Sequence, residues 1–211
     1  LGTYLLLGQL MGGGMGMPRF EAAVVGNLEL TWLIPLSLIG TVCGWLYFVS
    51  EHASEALAHA IGERPVVKAI LAGLALAICG TVLPYTMFAG ETQADVLMET
   101  YLTIPAGVLI ATGLVKAMLT PALINLGWRG GHFFPVIFSG VSLGYGLAIL
   151  TGADPVFCVA ACTASTMGTV MRQPVMVVGL LLMCFPLKGI VCMIIAAAIA
   201  AGIPLPKPLR K

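Results

Sequence analysis

The chain has 211 residues, of which 59% are hydrophobic and 9% charged, against about 25% charged in a soluble domain; this is a membrane composition. Ten Lys and Arg against nine Asp and Glu leave a net charge of +1, which excludes a basic nucleic-acid surface and an acidic tail for a cationic partner. A mean hydropathy of +1.04 excludes disorder, and 26 Gly with 13 Pro fit helices that pack closely and break within a bilayer.

The N-terminus has no basic region followed by a short apolar core and a cleavage site, so it does not read as a signal peptide. Its opening, Leu1-Gly2-Thr3-Tyr4 without Met, suggests the later part of something longer. Met11-Gly12-Gly13-Gly14-Met15-Gly16 lacks the Gly-Lys-Ser/Thr that holds a nucleotide phosphate and reads as a flexible turn. Charge-free runs fall at 1–18, 30–50, 69–90, 100–115, 117–128, 130–153, 155–171, 173–187 and 189–206. A simple span needs about 20 apolar residues. Runs 30–50, 69–90 and 130–153 meet that, whereas 117–128 and 173–187 are short and suggest helices that stop partway.

Run 30–50 continues through good helix formers to Ile61, with Ala53, Leu57, Ala60 and Ile61 on one stripe. One long tilted helix over about 31–61 is therefore expected, ending at Gly62 before Pro65. On it, His52-x-x-Glu55 and the pair Glu51 and Glu55 have metal-ligand spacing. A membrane-embedded metal-dependent enzyme using His52, Glu55 and His59 is the reading that competes with transport, although a di-metal centre needs a second such motif and none occurs. The six cysteines, Cys43, Cys79, Cys158, Cys162, Cys184 and Cys192, lie in apolar stretches without CxxC spacing and read as buried reduced thiols. Lys116 interrupts an apolar stretch, either facing protein or water or reaching to a headgroup.

Asn125-Leu126-Gly127-Trp128-Arg129-Gly130-Gly131-His132-Phe133-Phe134-Pro135 breaks the chain before the long run 130–153. The first turn of a helix carries N–H groups without intrahelical partners and about half a positive charge, so a helix start here attracts an anion. Gly130 and Gly131 let the backbone bend, Pro135 removes a donor where it is least missed, and two phenylalanines exclude water. An ordinary re-entrant turn has the same pattern, and His132 alone decides nothing. Within the run, Gly140-x-x-x-Gly144 and Ser142-x-x-x-Gly146 offer two faces for close helix packing.

These residues resemble the C-terminal half of the CLC family of chloride channels and chloride/proton antiporters. Gly131-His132-Phe133-Phe134-Pro135 is similar to that family's G-x-F-x-P element, and Lys116-x-x-x-Thr120 to the basic residue and threonine before it. Arg172-Gln173-Pro174 is similar to the R-x-P that opens a short helix near a dimer interface, and Lys207-Pro208-Leu209 to a K-P-L before the final segment. The resemblance implies an all-α membrane protein with broken and tilted helices, residues 1–211 being a single transmembrane domain and one half of an inverted-repeat subunit. The N-terminal half would carry a G-S-G-x-P serine, a G-x-E-G-P gating glutamate and an internal proton-transfer glutamate; neither motif occurs in this chain, which leaves channel and antiporter both open. Two positions depart from the family pattern: Arg210 stands where a tyrosine contacts the anion, and Met183 where a glutamate is common.

The resemblance and the broken helices together imply transport of chloride, or of fluoride or another anion. The expected contacts are Gly131, His132, Phe133 and Phe134, through backbone N–H groups and not the imidazole. Lys116 and Arg210 are the expected pore or electrostatic residues. No catalytic residue, cofactor or metal is expected. Partners are the bilayer, the N-terminal half of the same subunit, and a second copy packed through Val178 and Leu182; a non-conducting packing subunit is the third reading. Lys207, Arg210 and Lys211 place the C-terminus in the cytoplasm of a cell (inner) membrane protein.

Overall fold

A computed structural model describes residues 18–87, 89–206 and 209. The described residues form α1 (Asn27–Ile61), α2 (Pro65–Val82), α3 (Glu91–Thr100), α4 (Ala106–Asn125), α5 (Phe133–Thr151), α6 (Pro155–Met171), α7 (Pro174–Leu181) and α8 (Ile190–Gly202), with short 3-10 turns at Pro84–Thr86 and Tyr101–Thr103 and no strand. Met11–Gly16, Lys207, Pro208, Arg210 and Lys211 lie outside the described residues. Helices α1, α2, α4 and α5 are long and apolar enough to cross a membrane. At 35 residues, α1 is about 52 Å long, more than the hydrocarbon core requires. Its last turns, with Glu51, His52 and Glu55, extend the helix as the sequence implies. By contrast α7 has 8 residues and ends partway.

α5 and α6 form the centre. Residues 136–148 of α5 and 157–169 of α6 are buried without interruption, the condition of helices enclosed by other helices. Small residues make this enclosure feasible. A Cβ on Gly140 would fall 2.4 Å from the Thr163 Cα, and one on Gly144 2.4 Å from the Val159 Cα, so this stripe of α5 lies directly on the α6 backbone. The second stripe faces α4: Ser142 Oγ donates to the Leu109 carbonyl at 2.8 Å, and a Cβ on Gly146 would meet the Ala106 carbonyl oxygen at 2.9 Å. Across α6, Gly40 of α1 lies against Ser165, Gly44 against Thr169, and Gly168 against Ala197 of α8. Thr166 closes the first of these crossings by donating to the Gly40 carbonyl at 3.2 Å. In lipid, where burying apolar surface gives no advantage over leaving it in acyl chains, such shape matching and interhelical hydrogen bonding hold helices together.

Two sequence expectations change. Runs 100–115 and 117–128 are not separate segments, because α4 continues from Ala106 to Asn125 through Lys116 and Pro121; a single lysine ends a charge-free run without ending a helix when protein surrounds it. Val178 does not face outward either. Val177, Val178 and Leu181 form the inward stripe of α7, with Val178 only 5% exposed, while Val175 and Met176 are its outward face and Leu182 is half-buried. In a segment that is apolar throughout, periodicity carries no phase. The cysteines are free thiols, five of them buried and Cys79 half-buried.

Candidate anion site at the start of α5

The end of α4 consumes its own free carbonyls. Gly127 takes a left-handed φ of 99°, which glycine accepts without a Cβ penalty. The turn it makes lets Gly127 N donate to the Ile124 carbonyl at 3.0 Å and Trp128 N to the Leu123 carbonyl at 3.0 Å, a Schellman closure. The chain then passes through exposed Arg129, Gly130 and Gly131 into α5.

α5 starts where the sequence places it, with His132 as the N-cap residue and Phe133 the first helical residue. Its first backbone bond runs from Val136 N to the His132 carbonyl at 3.2 Å, and the His132 side chain makes no capping hydrogen bond. Among the described residues, no acceptor meets the N–H groups of His132, Phe133 and Phe134. Pro135 has none to offer. The His132 ring instead stands exposed, 6.4 Å from the ring of Tyr47 on α1 at a 59° tilt. Phe133 and Phe134 are half-buried and meet edge to face, with centroids 5.5 Å apart.

A cavity of about 270 Å³ opens beside this start, bounded by Gly130, Gly131 and Pro135 and by Lys116 and Thr120 of α4. Lys116 is 4% exposed and its Nζ donates to the Thr86 carbonyl at 2.7 Å. It therefore faces protein and the cavity, and does not reach to a headgroup. Arg129 lies at the same cavity, and among the described residues no acidic one lines it. Arg129 carries no assignment from the sequence, where the available signal is a cation directly before Gly130 and Gly131 and four residues before the first helical residue, Phe133. The Thr86 carbonyl, 30 residues from Lys116, had no signal in the sequence. Gly131, His132, Phe133 and Phe134 are thus contiguous, Gly131 lines the cavity together with Lys116 while the other three residues lie next to its rim, and Arg210 lies outside the described residues.

The metal-enzyme residues are dispersed by comparison. His52 Nδ1 is engaged with the Phe48 carbonyl at 2.9 Å. Glu55 and His59 border a separate cavity of about 290 Å³ with Lys68 and Asn125. Among the described residues no three His, Cys, Asp or Glu side chains converge, so this alternative gains no support from geometry.

The chain matches the voltage gated chloride channel family over residues 5–204. Its fold is similar to the crystal structure of a CLC-type fluoride/proton antiporter, with a TM-score of 0.75 and 21% identity over 96% of this chain and 52% of that one. It thus spans about half the length of that structure. Comparison with curated proteins gives no match. The chain belongs to the voltage gated chloride channel family and is an all-α, multi-pass membrane protein.

Proposed function

We propose, from the premise of that membership, that the chain supplies one half of a transmembrane anion pathway, holding the anion on the N–H groups of His132, Phe133 and Phe134. The observation that carries this reading is the uncapped start of α5, with unmet donors beside a cavity whose lining, among the described residues, has two cations and no carboxylate. Aligned peptide dipoles add positive potential there. Backbone donors attract an anion without the full charge that would hold it too tightly for passage. Lys116, buried at the same cavity, raises the local potential. The N-terminal half of the subunit would complete the pathway, and the protein acts as a channel or a proton-coupled antiporter without catalytic residues, cofactor or metal.

Chloride is the proposed anion. Fluoride is the competing reading, favoured by the description of the similar antiporter. Liposomes containing the full-length protein, read with chloride and fluoride electrodes, separate the two; efflux of neither anion contradicts the proposal. Lys116→Met is expected to lower flux more than it lowers yield of folded protein, and unchanged flux from well-folded mutant protein removes Lys116 from the pathway.

The proposed assembly is a homodimer with one pathway in each copy, packed through the outward faces of α7 and α8. Val175, Met176, Val191, Ile194 and Ile195 are exposed there, and apolar faces of this kind associate in lipid by shape. Val175→Trp together with Val191→Trp is expected to yield monomers on crosslinking; persistence of the dimer assigns the interface elsewhere. The proposed orientation, C-terminus in the cytoplasm of the cell membrane, follows the basic tail Lys207, Arg210 and Lys211.

A further inference from the structure

One side of the cavity beside α5 is a single stretch of chain. Leu123, Ile124, Trp128, Arg129, Gly130 and Gly131 all line it, and all lie between Pro121 inside α4 and Pro135 in the first turn of α5. The part of α4 before Pro121 supplies Lys116, Leu119 and Thr120 to the same cavity. Proline has no N–H to donate, so the Ala117 carbonyl lacks its bond within the helix and the last turn of α4 is less firmly joined to what precedes it. Beyond that turn the stretch has little packing. Gly127 to His132 are exposed, and a Cβ on Gly127, Gly130 or Gly131 would meet nothing within 4 Å.

What fastens this stretch is α1. Asn125 Nδ2 donates to the Glu51 carbonyl at 3.0 Å and to Ser54 Oγ at 2.8 Å. Ser54 is buried and itself donates to the Glu51 carbonyl at 3.1 Å. His132, at the other end of the stretch, stands against Tyr47, so the two ends meet α1 about two turns apart along one helix. The buried Leu126 is the apolar anchor beside Asn125. The polar latch is releasable, because the Asn125 amide borders the cavity lined by Glu55, His59 and Lys68, where water can replace both of its bonds. With the latch released, no polar contact keeps Leu123 and Ile124 from moving into the void they line, and that movement takes apolar surface out of water.

We propose that Asn125 is a positioning residue, a latch on α1 that holds this side of the cavity open. The inference rests on the reading of the cavity as part of the anion pathway, and it adds that passage depends on the latch while binding at the α5 start does not. α5 itself is fixed against α6 and α4 through Gly140, Gly144 and Gly146, so its first-turn donors stay in place when Asn125 lets go.

The test uses the full-length protein with Asn125→Leu, which keeps a branched side chain and removes both donors; Asn125→Ser, too short to reach α1, takes its place where the leucine variant does not fold. Chloride affinity by isothermal titration is expected to stay within about twofold of the parent, while chloride flux from liposomes falls by about fivefold or more. Ser54→Ala should give a smaller fall in flux alone and no further fall in the Asn125→Leu protein, as members of one network do. Access to the cavity is read separately from transport. Thr120→Cys, in a Cys79→Ser background because Cys79 is the half-buried native thiol, is labelled with a negatively charged methanethiosulfonate, and Leu119→Cys is the second reporter. Adding Asn125→Leu should slow labelling by about fivefold or more. Parental or raised flux, an affinity that falls as far as the flux, an additive effect of Ser54→Ala, or absence of labelling at both reporters in the parent overturns the inference. Unslowed labelling in a protein that transports chloride overturns the latch and leaves the transport reading intact. Slowed labelling in a protein that carries no anion upholds the latch and overturns the transport reading.

Discussion

α5 and α6 are consecutive, similar in length and buried along most of their lengths, yet they begin in opposite ways. α6 starts on Asp154, whose Oδ1 accepts from Phe157 N at 2.8 Å, with Pro155 at the first helical position. Glu29 of α1 adds to this by accepting from Asp154 N at 3.2 Å through Oε1 and from Gly26 N at 2.9 Å through Oε2. The chain thus satisfies the start of α6 with its own carboxylates. α5 starts on His132, whose side chain caps nothing, after exposed glycines and beside a cavity. A helix start that already has an internal anion has no use for an external one. A helix N-terminus as such therefore does not mark an anion site; one the protein leaves unfinished does.

The largest expected effect comes from making α5 begin as α6 does. His132→Asp places a carboxylate where it can accept from the first-turn donors, and halide affinity should fall by about 2–3 kcal/mol, or roughly 30- to 150-fold, by titration of the full-length protein. Undiminished affinity would mean that the anion sits elsewhere. Next in size is Phe133→Pro, which deletes one donor at the helical position that best tolerates proline; the loss should be about 1.5 kcal/mol, or tenfold. A folded Phe133→Pro protein with parental affinity would exclude that N–H. Asp154→Ala acts on the other helix, and should cost about 1 kcal/mol of thermal stability through loss of the cap with no change in halide affinity. A change in halide affinity there would show that the two helix starts are not independent. The smallest effect is that of His132→Ala, within about 0.5 kcal/mol on halide affinity; loss of binding would make the imidazole the ligand.

Much of the central architecture was legible because small residues in an apolar run can serve little purpose except close approach. Gly140 with Gly144, and Ser142 with Gly146, point to two packed faces of α5, and they meet α6 and α4. The start of α5 was legible for a related reason, since consecutive glycines before aromatic residues and a proline leave the backbone few regular alternatives. Hydropathy, in contrast, does not distinguish α2, with two buried residues, from α5, with thirteen, because lipid and protein interior are both apolar. The same degeneracy hid which face of α7 turns inward. Lys116 was misread as a boundary because its partner, the Thr86 carbonyl, is fixed by tertiary structure. Glu29 and Asp154, 125 residues apart, are joined in the same way and leave no pattern in the sequence.

The most direct test of the central claim is anomalous diffraction from crystals of the full-length protein soaked in bromide. A bromide peak is expected within hydrogen-bonding distance of the backbone nitrogens of Phe133 and Phe134, with the same peak in His132→Ala crystals. A peak held by the His132 imidazole and lost in His132→Ala, or bromide bound elsewhere with the α5 start empty, would contradict it.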